Sequence, residues 1–272
     1  MNTDGLIESP REAFMVDVVR HESGEFSWAE LATTDPDGAK KFYTSLFGWT
    51  FVDNPMGPDM IYTRLQLRGR DAAAMYAQMK DQRDMGIPPH WMVYVTVANA
   101  DHTAKKVPSL GGAILQEPFD VMKYGRMAVC RDRQGALFSI WQAGEHIGAE
   151  VENEPGALSW CELAAKDTDD AGGFYGQLFG WQPKTREDFP YVELYLGDRP
   201  IGGIFPLDES MQGVPPHWGV YFRVESCDAS AAKAKSLRGT VHVGPQDIPN
   251  VGRFAMIQDP QGAMFSVIQL KG

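Results

Sequence analysis

The chain has 272 residues, of which 43% are apolar and 22% charged, and a formal net charge of −11 at pH 7. This length suggests two domains of ordinary globular composition. The negative charge and the absence of basic runs disfavour nucleic acid and anionic lipid as partners, and no apolar run approaches the roughly 18 residues that span a membrane.

Residues 1–25 form a polar lead-in. Their only apolar patch, residues 14–19, is interrupted by Asp17 and has no basic region ahead of it, which is not the pattern of a signal peptide. We therefore expect a cytoplasmic protein whose partner is a small molecule.

An internal duplication follows the lead-in. The segment Phe26–Trp49 returns as Leu158–Trp181 at a constant spacing of 132 residues. A repeat of this kind means that one structural unit occurs twice.

Each copy of the repeat predicts a strand, a turn and a helix. In Phe26–Leu31, Trp28 and Glu30 alternate with small or apolar residues, so a strand would place both on one face. Asp35 suits the helix N-cap, and Gly48 suits the turn that ends the helix. Three strands are predicted next, the last in the alanine-rich run 71–78.

A polar loop, residues 80–89, leads to a second unit of the same βαβββ type. Its predicted elements are a strand at 90–97, a helix at 101–110 and strands at 113–117, 126–131 and 137–142. After a linker, residues 143–157, the whole scheme recurs. We predict an α+β protein of four βαβββ modules, with domain 1 at 26–142 and domain 2 at 158–272.

The motifs that open and close each domain are D-x-x-x-A-x-x-F-Y-x-x-L-F-G-W, from Asp35, and D-x-x-G-A-x-F-S-x-x-Q, from Asp132. They resemble the vicinal oxygen chelate superfamily of glyoxalase I, bleomycin resistance proteins, fosfomycin resistance enzymes and extradiol dioxygenases. The chain looks like the tandem two-domain glyoxalase-like proteins of actinobacteria. The resemblance implies that each pair of modules forms a half-open barrel around a cleft.

Enzymes of this superfamily usually hold a divalent metal with His, His and Glu side chains. The resemblance places those positions at Trp28, near Met75, at or near Met92 and at Ser139 in domain 1, and at Trp160, about Ile204, Gly219 and Ser266 in domain 2. Imidazole and carboxylate are the usual ligands of such metals. We therefore expect neither a metal nor another cofactor.

The residues on the cleft face suit a flat, largely apolar ligand, because apolar burial supplies affinity and a few polar groups fix orientation. The expected ligand-binding residues are Trp28, Met92, Tyr94, Ser139 and Trp141 in domain 1, and Trp160, Gly219, Tyr221, Ser266 and Ile268 in domain 2. The candidate acid or base residues are Glu30, His90, Glu162 and His217. Because domain 2 has Gly219 at the position that matches Met92 in domain 1, we expect the deeper pocket in domain 2.

Several of these residues have an ordinary structural interpretation. A tryptophan in mid-strand is often a core residue, and His90 follows a proline where a histidine often makes a structural hydrogen bond. The two glutamates could form salt bridges with Arg64, Arg126 or Arg253, a pairing that would compensate the cost of burying a carboxylate. The repeated pairs Asp120 with Arg126 and Asp247 with Arg253 could pin a loop or hold an anionic group.

Two functions from different classes remain. One is a metal-free protein that binds a hydrophobic, aromatic small molecule. The other is a metal-independent isomerase, lyase or cyclase acting on a natural-product-like substrate with a glutamate or histidine as acid or base. Either could work as a monomer, since the duplication supplies both domains. Cys130, Cys161 and Cys227 lack metal or redox spacing and are expected to be buried thiols.

Overall fold

The computed structural model describes residues 18–58 and 60–271, apart from the side chain of Ser210; the expectations for residues 1–17 lie outside this range. Domain 1 contains β1 (Phe26–Thr33), α1 (Pro36–Phe47), β2 (Thr50–Gly57), β3 (Met60–Leu67), β4 (Arg70–Ala77), α2 (Lys80–Asp84), β5 (His90–Thr96), α3 (Ala100–Ser109), β6 (Ala113–Val121), β7 (Gly125–Arg131) and β8 (Leu137–Ala143). Domain 2 contains β9 (Leu158–Ala165), α4 (Thr168–Phe179), β10 (Gln182–Thr185), β11 (Val192–Leu196), β12 (Arg199–Pro206), a 3₁₀ turn (Glu209–Met211), β13 (His217–Arg223), α5 (Cys227–Ser236), β14 (Thr240–Ile248), β15 (Gly252–Gln258) and β16 (Met264–Leu270).

The repeated helix begins and ends where its sequence predicts. The Asp35 carboxylate accepts a hydrogen bond from the amide of Gly38 at 3.0 Å, and Gly48 takes the left-handed conformation, with φ at 72°, while its amide bonds to the Thr44 carbonyl. Asp167 and Gly180 take the same roles in α4. These caps satisfy backbone groups that a helix end leaves without a partner.

Each domain is one eight-stranded sheet. In domain 1 the strand order is β2-β3-β4-β1-β5-β8-β7-β6, and domain 2 repeats it as β10-β11-β12-β9-β13-β16-β15-β14. The central strand β1 runs parallel to β4 and antiparallel to β5, so it joins the two modules. The four predicted βαβββ modules are confirmed, and each sheet curves into a half-barrel.

The prediction of a polar loop at residues 80–89 was wrong in one respect. This segment contains the five-residue helix α2, whose first turn is held by the side chain of Gln82, which accepts from the amide of Met79 at 2.9 Å. No apolar periodicity marks so short a helix.

The two domains share one aromatic core between their convex faces. Phe42 of α1 packs edge-on against Phe265 of β16, with ring centroids 6.1 Å apart, and Phe138 of β8 packs against Tyr175 of α4 at 5.4 Å. Helices α1 and α4 therefore contact a strand of the other domain as well as strands of their own. Burial of large aromatic side chains dominates core energetics, so this interface fixes the domains together.

Two matched hydrogen-bond chains cross this core. The phenol of Tyr43 accepts from the Trp91 indole at 3.1 Å and donates to Asp259 of the other domain at 3.0 Å. Trp218, Tyr175 and Asp132 repeat the arrangement in the opposite direction. Each aspartate belongs to the closing D-x-x-G motif, so that motif also joins the domains.

The three cysteines are buried and free, as expected, and burial raises the pKa of the Cys130 thiol to about 12. Among the described residues, no helix combines the length and apolar character needed to cross a membrane.

Candidate functional site

The concave face of each sheet carries the candidate site. Along β1, Ala29 and Leu31 enter the shared core, and Trp28 and Glu30 therefore point to the concave side. Tyr94 of β5 and Trp141 of β8 lie on this face with Trp28 in a separate cluster. The predicted orientation of these residues follows from the alternation of strand side chains.

Glu30 is the centre of a network in domain 1. Tyr94 donates to its carboxyl at 2.9 Å, and the Trp28 indole donates to the phenol of Tyr62 at 3.0 Å. The phenol of Tyr62 also faces Glu30 and favours its ionised form. Burial raises the pKa of Glu30 above its ordinary value, and the two phenols act in the opposite direction by stabilising the carboxylate.

Domain 2 repeats the network with the same residue types. Trp160 donates to the phenol of Tyr191 at 2.9 Å, and Tyr221 donates to Glu162 at 2.5 Å. Burial is again the main cause that raises the pKa of Glu162, opposed by hydrogen bonds from Tyr221 and Tyr191. Both domains thus hold a half-buried carboxyl between two phenols.

The sequence interpretation missed Tyr62 and Tyr191 and misassigned the partners of the glutamates. Arg64 pairs with Asp71 at 2.7 Å, and Arg126 and Arg253 pair with other aspartates. The salt-bridge alternative for Glu30 and Glu162 is therefore replaced by phenol donors. A signal was available, because the two tyrosines occupy matched positions of the duplication.

The loop-pinning interpretation of the repeated arginines agrees with the structure. Arg126 donates to Asp120 and to Asp101, both at 2.8 Å. Arg253 makes the matching contacts with Asp247 and Asp228. These bonds join the β6–β7 and β14–β15 hairpins to the helices before them.

The two candidate histidines lie apart from the glutamate network. His90 is two residues from Met92 on the same face of β5, and its Nδ1 bonds to the Pro88 carbonyl at 2.8 Å. His217 contacts the Pro215 carbonyl in the same way at 2.9 Å. Both contacts are those expected of the structural interpretation, and both rings lie toward the rim of the cleft.

Three differences between the matched concave faces bear on the candidate site. Met92 lies opposite Glu30, and Gly219 lies opposite Glu162 in the same register. A Cβ added at Gly219 would have only the Glu162 carbonyl oxygen within 4 Å, at 3.7 Å. The remaining differences are Trp141 against Ile268, and a serine hydroxyl that lacks a partner in Ser139 but bonds to Tyr221 in Ser266.

The linker packs against the concave face of domain 1. Its His146 ring packs edge-on against Trp28, with centroids 4.7 Å apart, and its backbone carbonyl accepts from the Trp141 indole at 2.9 Å. Ala149 adds an apolar contact, and its amide donates to Ser27 at 2.7 Å. Trp28 is consequently only 3% exposed, whereas the matched Trp160 is half-buried.

The side chains at the metal-binding positions of the resemblance do not fit a divalent metal. Trp28 and Trp160 use their indole N–H groups as donors, and Met92 and Gly219 offer no oxygen or imidazole nitrogen. In residues 18–58 and 60–271, no three His, Cys, Asp or Glu side chains are grouped as a metal would require. The polar groups beside these positions are therefore the phenols, the indole N–H groups and one glutamate carboxyl in each domain.

Two further positions were placed on the wrong face. Met75 and Ile204 lie in the shared core, and their neighbours Ala74 and Gly203 face the clefts instead. An added Cβ at Gly203 would collide with the phenol of Tyr191, so this glycine makes room for the tyrosine that contacts Glu162. Neither Ala74 nor Gly203 supplies a metal ligand.

Comparison with known proteins agrees with this architecture. The family model of the Glyoxalase/Bleomycin resistance protein/Dioxygenase superfamily matches residues 25–140 and again residues 157–267. The chain belongs to this superfamily. The two matches correspond to the two eight-stranded sheets.

Relatives within the superfamily cover nearly the whole chain. A Mycobacterium tuberculosis protein named "Putative glyoxylase CFP32" is 43% identical over 253 residues, which are 92% of this chain and 96% of that protein. The anthracycline biosynthesis protein DnrV of Streptomyces peucetius is 35% identical over 270 residues, at 93% and 96% coverage.

Solved structures of the superfamily show the same fold at low identity. The Mn(II)-bound glyoxalase of Novosphingobium aromaticivorans aligns with a TM-score of 0.65 and 15% identity, covering 92% of this chain and 83% of its own. The 2,3-dioxygenase LapB of Pseudomonas sp. KL28 aligns with a TM-score of 0.64 and 13% identity, at 91% and 93% coverage.

Proposed function

We propose that the chain is a metal-independent member of its superfamily that binds a flat, largely apolar, aromatic small molecule on the concave face of domain 2. The observation that carries this proposal is the pairing of Gly219 with Glu162, which leaves open space beside a polar anchor. A site of this kind combines apolar surface with a few fixed polar groups.

The aromatic lining of domain 2 supports a planar ligand. Trp160 is half-buried, and Tyr221 packs near Phe254 with ring centroids 6.3 Å apart. Aromatic rings stack on one another in offset or edge-on arrangements that add about 0.5–1.5 kcal/mol beyond burial. The anthracyclines named for two Streptomyces relatives are planar polycyclic compounds, which is consistent with this class of ligand.

Domain 1 has a different role in this proposal. His146 and Ala149 of the linker cover Trp28, and Met92 fills the position opposite Glu30. Burying an apolar side chain stabilises a protein by about 1.5–3 kcal/mol, so a self-filled cleft is favourable. We therefore assign one ligand site to each chain.

The proposal is tested with fluorene, a neutral planar hydrocarbon, and protein treated with a chelator. Isothermal titration calorimetry should show saturable binding at one site per chain, unchanged when Zn²⁺ or Mn²⁺ is added. Binding that appears only with added metal, or no binding of any planar probe, would contradict it.

A metal-independent isomerase, lyase or cyclase is the second candidate, favoured by the burial of Glu162. A carboxyl whose pKa is raised by burial can act as a general acid or base nearer to neutral pH. With a turned-over substrate in hand, Glu162→Gln should abolish turnover and leave binding in place. If the protein only binds its ligand, neither the wild-type chain nor Glu162→Gln forms a product.

A further inference from the structure

We propose, on the basis of the function above, that the ligand of domain 2 carries a carbonyl oxygen that accepts a hydrogen bond from the protonated carboxyl of Glu162. This assigns a chemical class, a planar aromatic ketone or quinone, rather than an aromatic hydrocarbon or an aromatic cation.

The first step is the direction of the hydrogen bonds at Glu162. Tyr221 donates to this carboxyl at 2.5 Å, and the phenol of Tyr191 faces it and also favours its ionised form. Tyr191 already accepts from Trp160, so its own hydrogen is free to point at Glu162. A protonated carboxyl that accepts from two phenols retains one hydrogen of its own to donate.

The residues opposite Glu162 determine which group its carboxyl hydrogen can reach. On the neighbouring strands, Gly219 and Gly203 are the residues directly opposite Glu162. Neither has a side chain that could accept a hydrogen bond, and the space at Gly219 is open. A ligand at Gly219 would therefore meet the carboxyl hydrogen directly.

The third step is the charge state. Burial raises the pKa of Glu162, and the groups that face it are the phenols of Tyr191 and Tyr221, which are neutral at these pH values. Glu193 lies two residues from Tyr191 on the same face, paired with Arg186 at 3.4 Å and with Tyr195. The two cations near Glu193 are engaged elsewhere: Arg186 pairs with Glu193 and Asp188, and Lys184 lies over the Tyr195 ring.

An aromatic cation is the alternative that the site must be tested against. A carboxylate surrounded by tryptophan and tyrosine rings can hold a cation through charge and cation–π attraction. The two ligand classes differ in pH dependence. A carbonyl ligand loses affinity as the pH rises through the raised pKa of Glu162, whereas a cation gains affinity over the same range.

The test compares three tricyclic probes of similar shape by isothermal titration calorimetry: 9-fluorenone, which has a carbonyl, fluorene, which lacks it, and 9-aminoacridine, which is a cation. At low pH we expect fluorenone to bind about tenfold more tightly than fluorene, the ratio that one hydrogen bond of about 1.4 kcal/mol gives. This ratio should decline as the pH rises.

Variants identify the donor. Glu162→Gln keeps an N–H donor, so fluorenone should bind it to within about threefold of the original affinity and with no pH dependence. Glu162→Ala should bind both probes equally. Glu30→Gln, the matched change in domain 1, should leave the fluorenone preference unchanged.

The possible results distinguish a failure of the carbonyl assignment from a failure of the proposed aromatic site. Equal binding of fluorene and fluorenone overturns the carbonyl assignment and leaves the aromatic site standing. Tighter binding of 9-aminoacridine with rising pH overturns the assignment in favour of a cation. If none of the three probes binds, the proposed function itself fails.

Discussion

Gly219 lies directly opposite Glu162 on the neighbouring antiparallel strand, in the register that Met92 and Glu30 occupy in domain 1. The two domains therefore share a half-buried carboxyl and differ in what lies beside it. The difference of one side chain is the structural basis on which we assign the ligand to domain 2.

The carboxyls of Glu30 and Glu162 should make the stability of the fold depend on pH. Burial raises the pKa of Glu30 above 4.5, so between that value and the raised one the folded chain keeps a proton that the unfolded chain releases. Stability therefore falls as the pH rises through this window. Glu30→Gln removes the effect, and urea unfolding from about pH 4 to about pH 8 should show the variant gaining stability relative to wild type. A difference that does not change with pH would mean that folding leaves the pKa of Glu30 unshifted.

The buried hydrogen-bond chain between the domains should contribute measurably to folding. Tyr43→Phe leaves the Asp259 carboxylate and the Trp91 indole without this partner, and a buried unsatisfied group costs about 1–3 kcal/mol. Urea unfolding should show a loss of that size, and Tyr175→Phe should match it. Tyr124→Phe, at a residue that is 38% exposed, is the control. A loss of unfolding free energy no larger than in this control would refute the role of the hydrogen-bond chain.

The purified protein should carry no stoichiometric Zn, Ni, Mn or Fe. The reason is the donor set at the positions that the resemblance assigns to metal, where indole, thioether, glycine and serine replace imidazole and carboxylate. Elemental analysis after extensive dialysis measures this directly. About one tightly held transition metal per domain would show that another set of residues binds it.

Much of this architecture was predictable because local rules and the duplication agree. The alternation of Trp28 and Glu30 fixes their face, and Asp35 and Gly48 fix the ends of α1. The repeat then confirms each element by its second copy.

The parts that the sequence did not reveal depend on long-range pairing. Tyr62 reaches Glu30 from β3, two strands away in the sheet, and nothing local to either residue encodes that approach. Met75 and Ile204 were assigned to the wrong face because a shift of one residue along a strand reverses every side chain. The linker contact of His146 with Trp28 joins segments with no shared motif.

The chain should sediment as a monomer. The aromatic core between Phe42, Phe138, Tyr175 and Phe265 already joins two complete domains, so no second chain is required to complete a barrel. Sedimentation velocity at low micromolar concentration measures this, and a dimer that persists on dilution would contradict it.

The most direct measurement of the central claim is the titration of one planar aromatic probe into a matched pair of variants, Gly219→Met and Met92→Gly. A Cβ at Gly219 would have only the Glu162 carbonyl oxygen within 4 Å, so we expect the melting temperature to stay nearly unchanged while the methionine side chain occupies the space assigned to the ligand. We predict that Gly219→Met abolishes binding and that Met92→Gly leaves the affinity of domain 2 unchanged. Normal binding by Gly219→Met, together with altered affinity in Met92→Gly, would place the site in domain 1 and contradict the account.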